Sequence, residues 1–376
     1  MAVDNTKLGV VTFPVSRAGI VPLSNLVKIL LEQSSSKLHV ITGGKGLAVN
    51  NIDARVQVTG IQHKTKNNIL GRIISYALTQ IRMSLSIIGA KNSPDKWLFF
   101  IGGERLILPI IAAKLTRKPV ILLFAGSSHW QRNLNKNFMT AIIFFISTSV
   151  QILCDKVIIY SPILISELNL EPRRHKILIA HEHFLDLKTF TITTSYLNRP
   201  PLIGYIGRLS GEKGVQHFAQ ALPAILNGRQ NLKALIGGDG EMKCSTESSL
   251  REKCIADRVD MPGWISRDKL PQYLNRLRLI VLPSYTEGLP NIMLEAMACG
   301  TPVLATPVGA IPDIIVDGKT GFIMENNTPE CIAENVLRAL SSPDLERIAE
   351  AGRRFVVENF TFDKTVKNWK RILEEI

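Results

Sequence analysis

Hydrophobic and polar positions follow two periods along this chain. Short, almost uniformly apolar runs alternate with longer segments in which apolar residues recur at helical spacing. In the first half these runs predict strands at 8–13, 37–42, 54–61, 97–101, 119–124 and 156–160. The segments between them predict helices, notably at 20–33, 69–89, 105–117 and 133–153. Repeated β–α units with turn residues at strand ends predict parallel, doubly wound sheets.

The alternation is interrupted once, near the middle of the chain. The run 176–181 leads through Asp186 into the polar stretch 191–200, TITTSYLNRP, which is typical of a linker. Beyond it, strand–helix alternation resumes with frequent glycines. Since 376 residues exceed a usual single core, we predict two α/β domains. They comprise residues 1–192, completed by a return helix at 363–376, and residues 198–360.

Cysteine usage and the first residues bear on the compartment. The five cysteines are scattered and odd in number, which favours a reducing environment. The opening MAVDNTKLGVVTFP passes from polar residues directly to a strand, so we expect no signal peptide and a cytoplasmic protein. The run 137–154 lacks charge but contains recurring Ser, Thr and Gln. A buried or interfacial helix is therefore expected there rather than a membrane span.

Charge is distributed unevenly. Residues 1–190 hold 23 Lys and Arg against 10 Asp and Glu, whereas residues 191–376 hold 22 of each sign. No acidic residue occurs between Asp53 and Asp95, or between Glu104 and Asp155. A generally basic surface would explain this pattern. Attraction to an anionic membrane or to a phosphorylated acceptor is the functional interpretation, and peripheral attachment to the inner membrane face follows from it. No nucleic-acid module is visible, so a nucleic-acid partner is not expected.

The segment 284–309, SYTEGLPNIMLEAMACGTPVLATPVG, carries the most chemical information. Its pattern predicts a helix at about 290–299 between the strands 279–283 and 302–306. Pro290 suits the first helical position, and Gly300 suits the position just beyond the helix end.

This helix start is suited to bind an anion. Free N–H groups and the positive dipole end would lie at the carboxyl end of a parallel strand, where phosphates bind. The residues concerned are Gly288, Leu289, Pro290 and Asn291. Glu287 precedes them in the loop, and Glu295 follows within the helix. The alternative is a solvated loop carboxylate and a helix acid placed for the dipole, because the Glu-x7-Glu spacing alone is a weak signal.

A second candidate lies at 202–214, LIGYIGRLSGEKG. A buried strand, a glycine turn and two cations, Arg208 and Lys213, suit a diphosphate: glycines allow close backbone approach, and the cations form charge-assisted hydrogen bonds. The alternative is a turn with two exposed basic residues.

Other phosphate and metal motifs are missing from the sequence. The set Gly204, Gly207 and Gly211 has the wrong spacing for the Gly-x-Gly-x-x-Gly of dinucleotide-binding folds, and Gly238-Asp-Gly240 lacks the third glycine. No Gly-x4-Gly-Lys-Ser/Thr occurs. Asp-x-Asp is also missing, and the histidines and cysteines form no zinc-ligand pattern. We therefore expect neither a metal requirement nor a cofactor.

Taken together, these motifs resemble the family 4 retaining glycosyltransferases, among the glycosyl transferases group 1, over about residues 176–376. The resemblance implies a GT-B fold, in which two Rossmann-like domains face a cleft. It implies that residues 1–192 bind the acceptor and residues 198–360 the nucleotide-sugar donor. Catalytic roles carry over to Glu287, Arg208 and Lys213. Further donor contacts carry over to Gly238 and Gly240 of NLKALIGGDGE, to Trp264 and Ile265 of VDMPGWIS, and to the 287–291 segment with Glu295.

The first half resembles the family only in architecture. Gly19 marks the expected loop near the diphosphate, although the usual glycine pair is missing. The family's His-Gly pair after the strand at 119–124 is also missing. Gly126 and Ser127 stand there, and His129 follows; these three are candidate contacts for the sugar or acceptor.

The resemblance implies transfer of a sugar with retention from a nucleotide diphosphate, with UDP favoured, to a hydroxyl group. The acceptor expected from the charge pattern is lipid-linked or a membrane glycan. The missing histidine leaves open a catalytically impaired subunit that binds sugars or nucleotides within a complex. A GT-B epimerase or phosphorylase is the other alternative.

Overall fold

The computed structural model describes residues 6–64, 68–90, 94–124 and 138–376. The chain divides into two compact units. Unit 1 comprises Met1–Phe184 together with Phe362–Ile376, and unit 2 comprises Leu185–Thr361. The polar stretch 191–200 is fastened to unit 2, because the side-chain oxygen of Asn275 accepts a hydrogen bond of 2.8 Å from the Thr193 amide. Its side-chain nitrogen donates to the Thr191 carbonyl at 3.0 Å.

Unit 1 contains a parallel sheet of seven strands. The strands are β1 Leu8–Thr12, β2 Leu38–Thr42, β3 Val56–Gly60, β4 Lys96–Phe100, β5 Val120–Phe124, β6 Lys156–Ile159 and β7 Ile177–Ile179. Their order in the sheet is β3-β2-β1-β4-β5-β6-β7. Val10 pairs with Val40 on one side and with Leu98 on the other, so β1 is an interior strand. Strands β1 and β5 are buried along their whole length, as expected for apolar runs covered on both faces.

Helices connect the strands of unit 1 close to the predicted positions. They are α1 Ile20–Gln33, α2 Ile69–Ile88, α3 Ile107–Leu115, α4 Phe138–Leu153 and the single turn α5 Leu164–Glu167. Of the segment predicted as helix at 133–153, residues 133–137 lie outside the described part. Searched over the described residues, no helix combines the length and apolarity that crossing a membrane requires.

Unit 2 contains a second parallel sheet, with the six strands β8 Leu202–Ile206, β9 Lys233–Gly237, β10 Val259–Gly263, β11 Leu279–Leu282, β12 Val303–Ala305 and β13 Phe322–Ile323. Their order in the sheet is β10-β9-β8-β11-β12-β13. The helices are α6 Val215–Gly228, α7 Lys243–Glu252, α8 Leu270–Leu274, α9 Asn291–Ala298, α10 Pro329–Ser341 and α11 Leu345–Asn359.

The last helix, α12 Phe362–Glu374, belongs to unit 1. Its Trp369 is fully buried and donates an indole hydrogen bond of 2.8 Å to the carbonyl of His181. The Gln33 side chain at the end of α1 donates to the Val366 carbonyl at 3.0 Å. These contacts hold α12 against α1 and against the segment that follows β7.

Helix α9 differs at its start from the prediction. Pro290 has φ −73° and ψ 116°, so it is the cap and not the first helical residue. Its carbonyl accepts from the Met293 amide at 3.1 Å, as a cap carbonyl does. The end agrees with the prediction: Gly300 has φ +68°, and the Thr301 amide donates back to the Ala296 carbonyl at 2.9 Å.

Candidate functional site

Apart from Gly19, which belongs to unit 1, the donor residues expected from the sequence lie at one edge of the unit 2 sheet. Four adjacent strands, β10, β9, β8 and β11, run in parallel and end at this edge. Chain order reverses between β8 and β11, because β8 continues to β9 on one side while β11 lies on the other. Ligands of open α/β sheets bind at such a switch point. The loop carrying Arg208 follows β8, and the loop carrying Glu287 follows β11.

The loop after β8 is held by Tyr205 of β8, whose buried hydroxyl donates a hydrogen bond to the Arg208 carbonyl at 2.6 Å. Arg208 itself is 57% exposed and forms an ion pair of 3.0 Å with Glu212. Lys213 ends a short 3-10 turn and pairs instead with Glu287 at 2.7 Å. The two cations therefore lie in one loop but have different acidic partners.

Glu287 is held by two short hydrogen bonds to the same carboxylate oxygen. Lys213 Nζ and Ser284 Oγ each donate to Oε1 at 2.7 Å. The Glu287 side chain is 11% exposed, so the carboxylate is largely desolvated and fixed. The backbone beneath it is braced by the loop after β12, where the Ala310 amide donates to the Gly288 carbonyl at 2.8 Å.

The start of α9 presents backbone donors at the switch point. The cap residue Pro290 contributes no side-chain hydrogen bond to this start. The amides of Asn291 and Ile292 belong to the first helical turn, where N–H groups lack an intrahelical partner and the dipole end is positive. The short segment Gly288–Asn291 can therefore receive phosphate oxygens.

Glu295 lies one turn into α9 and is almost completely buried, with a side-chain exposure of 6%. The guanidinium of Arg267 forms an ion pair with its Oε1 at 2.9 Å. Burial nevertheless raises the pKa of Glu295 to about 7, with Arg267 acting in the opposite direction. The guanidinium also lies 5.2 Å from the ring centre of Phe190, so the aromatic residue directly before the polar stretch supports the pair.

The loops after β9 and β10 supply the remaining donor candidates. Gly238 has φ +136°, and a Cβ atom there would overlap the Gly207 carbonyl oxygen; only glycine lets these two loops approach. Gly240 follows in the same loop. The Gly238 amide donates to the Gly263 carbonyl at 2.7 Å, which ties this loop to the end of β10. Beyond β10, the ring of Trp264 is largely exposed, and Ile265 packs over Gly237.

Unit 1 has its own switch point, between β1 and β4. The Phe13 amide after β1 donates to the Ile101 carbonyl after β4 at 3.0 Å. Gly19 caps α1 next to Ile101, whose φ of +38° is unusual for a β-branched residue. Gly126, Ser127 and His129 lie outside the described residues.

Sequence reasoning missed two partners of the candidate residues. Arg267 follows the Trp264–Ile265 pair but carries no motif signal, and its pairing with Glu295 spans 28 positions. Ser284 lies within the 284–309 segment, but no motif marks it as a partner of Glu287. No cluster of three or more His, Cys, Asp or Glu side chains in the described part of the chain is arranged to hold a metal ion.

Comparison with known proteins identifies the protein family that residues 194–355 match. Residues 194–355 match the family model of the glycosyl transferases group 1. The chain is similar to alpha-D-kanosaminyltransferase of Streptomyces kanamyceticus, with 33% identity over 156 residues that cover 41% of this chain and 40% of that protein. It is similar to the capsular polysaccharide biosynthesis glycosyltransferase CapM of Staphylococcus aureus, with 31% identity over 169 residues covering 44% and 43%. The matches thus span less than half of these relatives' length.

Solved structures match over nearly the whole chain. The HepE protein of Anabaena, solved with UDP and glucose, has a TM-score of 0.78 at 14% identity and covers 98% of this chain and 99% of that one. Sucrose-phosphate synthase of Thermosynechococcus elongatus has a TM-score of 0.75 at 16% identity, covering 99% of both chains. The likeness confirms the GT-B fold class. We identify residues 194–355 as a domain of the glycosyl transferases group 1, which confirms the family resemblance at that level.

Proposed function

We propose that this protein is a retaining glycosyltransferase that moves a sugar from a nucleotide diphosphate to a hydroxyl acceptor. The observation that carries the proposal is the convergence of Arg208, Lys213, Glu287 and the α9 start at one switch point. Cations and helix N–H groups there can bind the oxygens of a diphosphate, and a fixed carboxylate can accept hydrogen bonds from sugar hydroxyls. The family 4 resemblance supports retention of the anomeric configuration.

In the proposed reaction the bond between the sugar C1 and the diphosphate oxygen breaks, and the acceptor oxygen bonds to C1 on the same face. The acceptor's proton passes to the leaving phosphate. Arg208, Lys213 and the α9 amides stabilise the charge that develops on that phosphate, usually a large catalytic term. Glu287 orients the sugar by accepting hydrogen bonds from its hydroxyls, and Glu295 accepts hydrogen bonds from the ribose hydroxyls. Neither a metal nor a cofactor is required, so activity should survive a chelator.

UDP is the favoured nucleotide, and HepE, a similar fold solved with UDP and glucose, supports this choice. Trp264 and Ile265, beyond β10, would hold the base. The acceptor is proposed to be lipid-linked or a membrane glycan, reached by peripheral attachment of unit 1 to the inner face of an anionic membrane. The excess of 13 positive charges in residues 1–190 supports that placement.

The test is donor turnover by wild-type protein and by Arg208→Ala, using UDP-sugars with acceptor or with water. Loss of one anion stabiliser should lower turnover by about 10²–10³-fold. The control is Arg347→Ala: Arg347 is similarly exposed and also forms a local ion pair, with Asp344, but lies in the first turn of α11 rather than at the donor edge. Near-normal activity of Arg208→Ala would refute the assignment. Binding of UDP-sugar without any turnover would favour a catalytically impaired binding subunit.

A further inference from the structure

Three consecutive helices of unit 1 expose an unusual amount of apolar surface. Of the 21 exposed large apolar side chains among the described residues, 15 lie on these helices. Helix α2 contributes eight of them, α3 three and α4 four. Exposed apolar patches of this kind mark interaction sites. The residues are Ile69, Leu70, Ile73, Ile74, Leu78, Ile81, Leu85, Ile88, Leu108, Ile111, Leu115, Ile143, Phe144, Phe145 and Ile152.

Helix α2 exposes most of its large apolar side chains, unlike an ordinary surface helix. Its buried side carries polar groups: the Gln80 side chain accepts from the Leu108 amide at 3.0 Å, and Thr79 Oγ1 lies 2.9 Å from His63 Nδ1. The Tyr76 hydroxyl donates to the Arg105 carbonyl. Surface helices normally turn their apolar stripe toward the core. Here eight isoleucines and leucines are exposed, while the buried side combines hydrogen-bonding side chains with Met83 and Ile87.

The other two helices extend this surface. Helix α3 packs against α2 and α4 against α3. In α3 the exposed residues Leu108, Ile111 and Leu115 are spaced i, i+3, i+7 and share one face. In α4 Phe145 is 71% exposed. We call the fifteen side chains the three-helix apolar face.

The charged residues of the three helices indicate what binds to the three-helix apolar face. The segments that form α2, α3 and α4 contain no Asp or Glu; Arg72, Arg82 and Lys114 are their charged residues. By the helical step of about 100°, Arg82 lies roughly 100° from the centre of the exposed apolar arc and borders it, whereas Arg72 lies on the opposite side. An apolar face bordered by positive charge is complementary to an anionic lipid surface.

We propose that the three-helix apolar face inserts into the interface of an anionic membrane, lying in the headgroup region without spanning the bilayer. The inference rests on the membrane part of the proposed function and deepens it. Attachment depends on burial of apolar side chains, with basic residues such as Arg82 contributing attraction. Binding should therefore persist in part at salt concentrations that screen charge.

The main test is co-sedimentation with vesicles of phosphatidylglycerol and phosphatidylcholine at low and high salt. Wild-type protein should bind at low salt and retain a measurable part of that binding at high salt. The double variant Ile74→Gln/Leu78→Gln should bind at least about tenfold more weakly at high salt, because two side chains no longer gain from burial. The control Leu197→Gln removes a 71% exposed leucine from unit 2 and should bind like wild type.

A second readout reports insertion directly. In Phe145→Trp the new indole should shift its emission to shorter wavelength on vesicle binding, and brominated lipid should quench it. Complete release of wild type by salt, equal binding of the double variant, or an unshifted indole would each overturn the inference. So would a dimer in the absence of lipid that the double variant dissociates, since a second copy would then occupy the face.

Thermal stabilisation by UDP separates this inference from the proposed function. The double variant and wild type should be stabilised equally, because the changes lie in unit 1. If that holds while vesicle binding does not differ, insertion is refuted and the donor site stands. If UDP stabilises neither protein, the proposed donor specificity fails whatever the vesicles show.

Discussion

Glu295 places a carboxyl group almost entirely out of water, with the guanidinium of Arg267 at 2.9 Å. Burial favours the protonated form and the cation favours the carboxylate, which leaves the pKa of Glu295 at about 7. Small changes around the pair can therefore change the protonation state of Glu295 near neutral pH. If Glu295 binds ribose hydroxyls as a carboxylate, Arg267 is a positioning residue that keeps it in that form.

The test at this scale is the pH profile of UDP affinity in Arg267→Ala and Arg267→Lys. In wild type, affinity should fall as pH decreases through about 7. Without the guanidinium, the pKa of Glu295 should rise further, so the fall should begin at higher pH, and affinity at neutral pH should drop by about threefold to tenfold. Arg267→Lys should retain much of the wild-type profile. A variant that binds more weakly by the same factor at every pH would point to a merely structural role.

Single residues were predictable where they follow strands in glycine-rich turns. Arg208, Lys213 and Glu287 lie in such turns, and Glu295 lies one turn into the helix that follows. Their pairing was not predictable, because Lys213 meets Glu287 across 74 positions through folding of the whole unit. The sequence suggested that Lys213 and Arg208 act together on the ligand. In the structure, each is paired with an acid that a diphosphate would have to displace or share.

At the scale of elements, the βα loops of unit 2 are braced against one another. Gly309, in the loop after β12, has φ +59°, and a Cβ atom there would overlap the Glu287 carbonyl oxygen and lie 2.6 Å from that of Gly288. The position of the Glu287 loop thus depends on a glycine of the neighbouring loop.

We expect Gly309→Ala to displace the Glu287 loop and lower donor turnover, with a loss of stability of about 1–3 kcal/mol from clash and backbone strain. Gly318→Ala is the matched control, because Gly318 has φ +69° with open space around its Cβ position. It should lose only about 1 kcal/mol and keep full activity. Thermal unfolding and donor hydrolysis of both variants decide the matter. Equal turnover in the two variants would contradict the bracing role.

The ends of strands and helices could be predicted from local sequence signals, whereas what covers each face of a helix could not. Apolar runs ended by glycine or proline located β8, β11 and the end of α9 within a residue or two, since those residues act on the backbone directly. The orientation of α2 could not be read in the same way. A helical period identifies an apolar arc but does not say whether protein, lipid or solvent covers it.

At the scale of the whole molecule, two parallel sheets were predictable from the repeated strand–helix order, and the GT-B fold class is confirmed. The central position of β1 and β8, and hence the switch points, depends on pairing between distant strands. Such pairing leaves no local signature, so the positions of the sites within each sheet came from motif resemblance. The second half carried motifs that the family model also matches, over residues 194–355, whereas the first half offered architecture alone.

Each unit also buries one glutamate that should make stability depend on pH. Burial raises the pKa of Glu182 in unit 1 and of Glu295 in unit 2 to about 7, from an ordinary value of 4.5. Between these values the folded protein keeps protons that the unfolded chain releases. The free energy of unfolding should therefore fall as pH rises from about 4.5 to about 7, by a few kcal/mol for each group.

The test compares thermal unfolding of wild type, Glu182→Gln and Glu295→Gln at about pH 5 and about pH 7.5. Glutamine carries no charge to desolvate, so each variant should gain stability relative to wild type as pH rises. His181 acts in the opposite direction, because burial lowers its pKa to about 4, so the variant-minus-wild-type difference is the informative quantity. The double variant should show both gains added, since the two groups lie in different units. A difference that is the same at both pH values would mean that these carboxyls do not titrate on unfolding in this range.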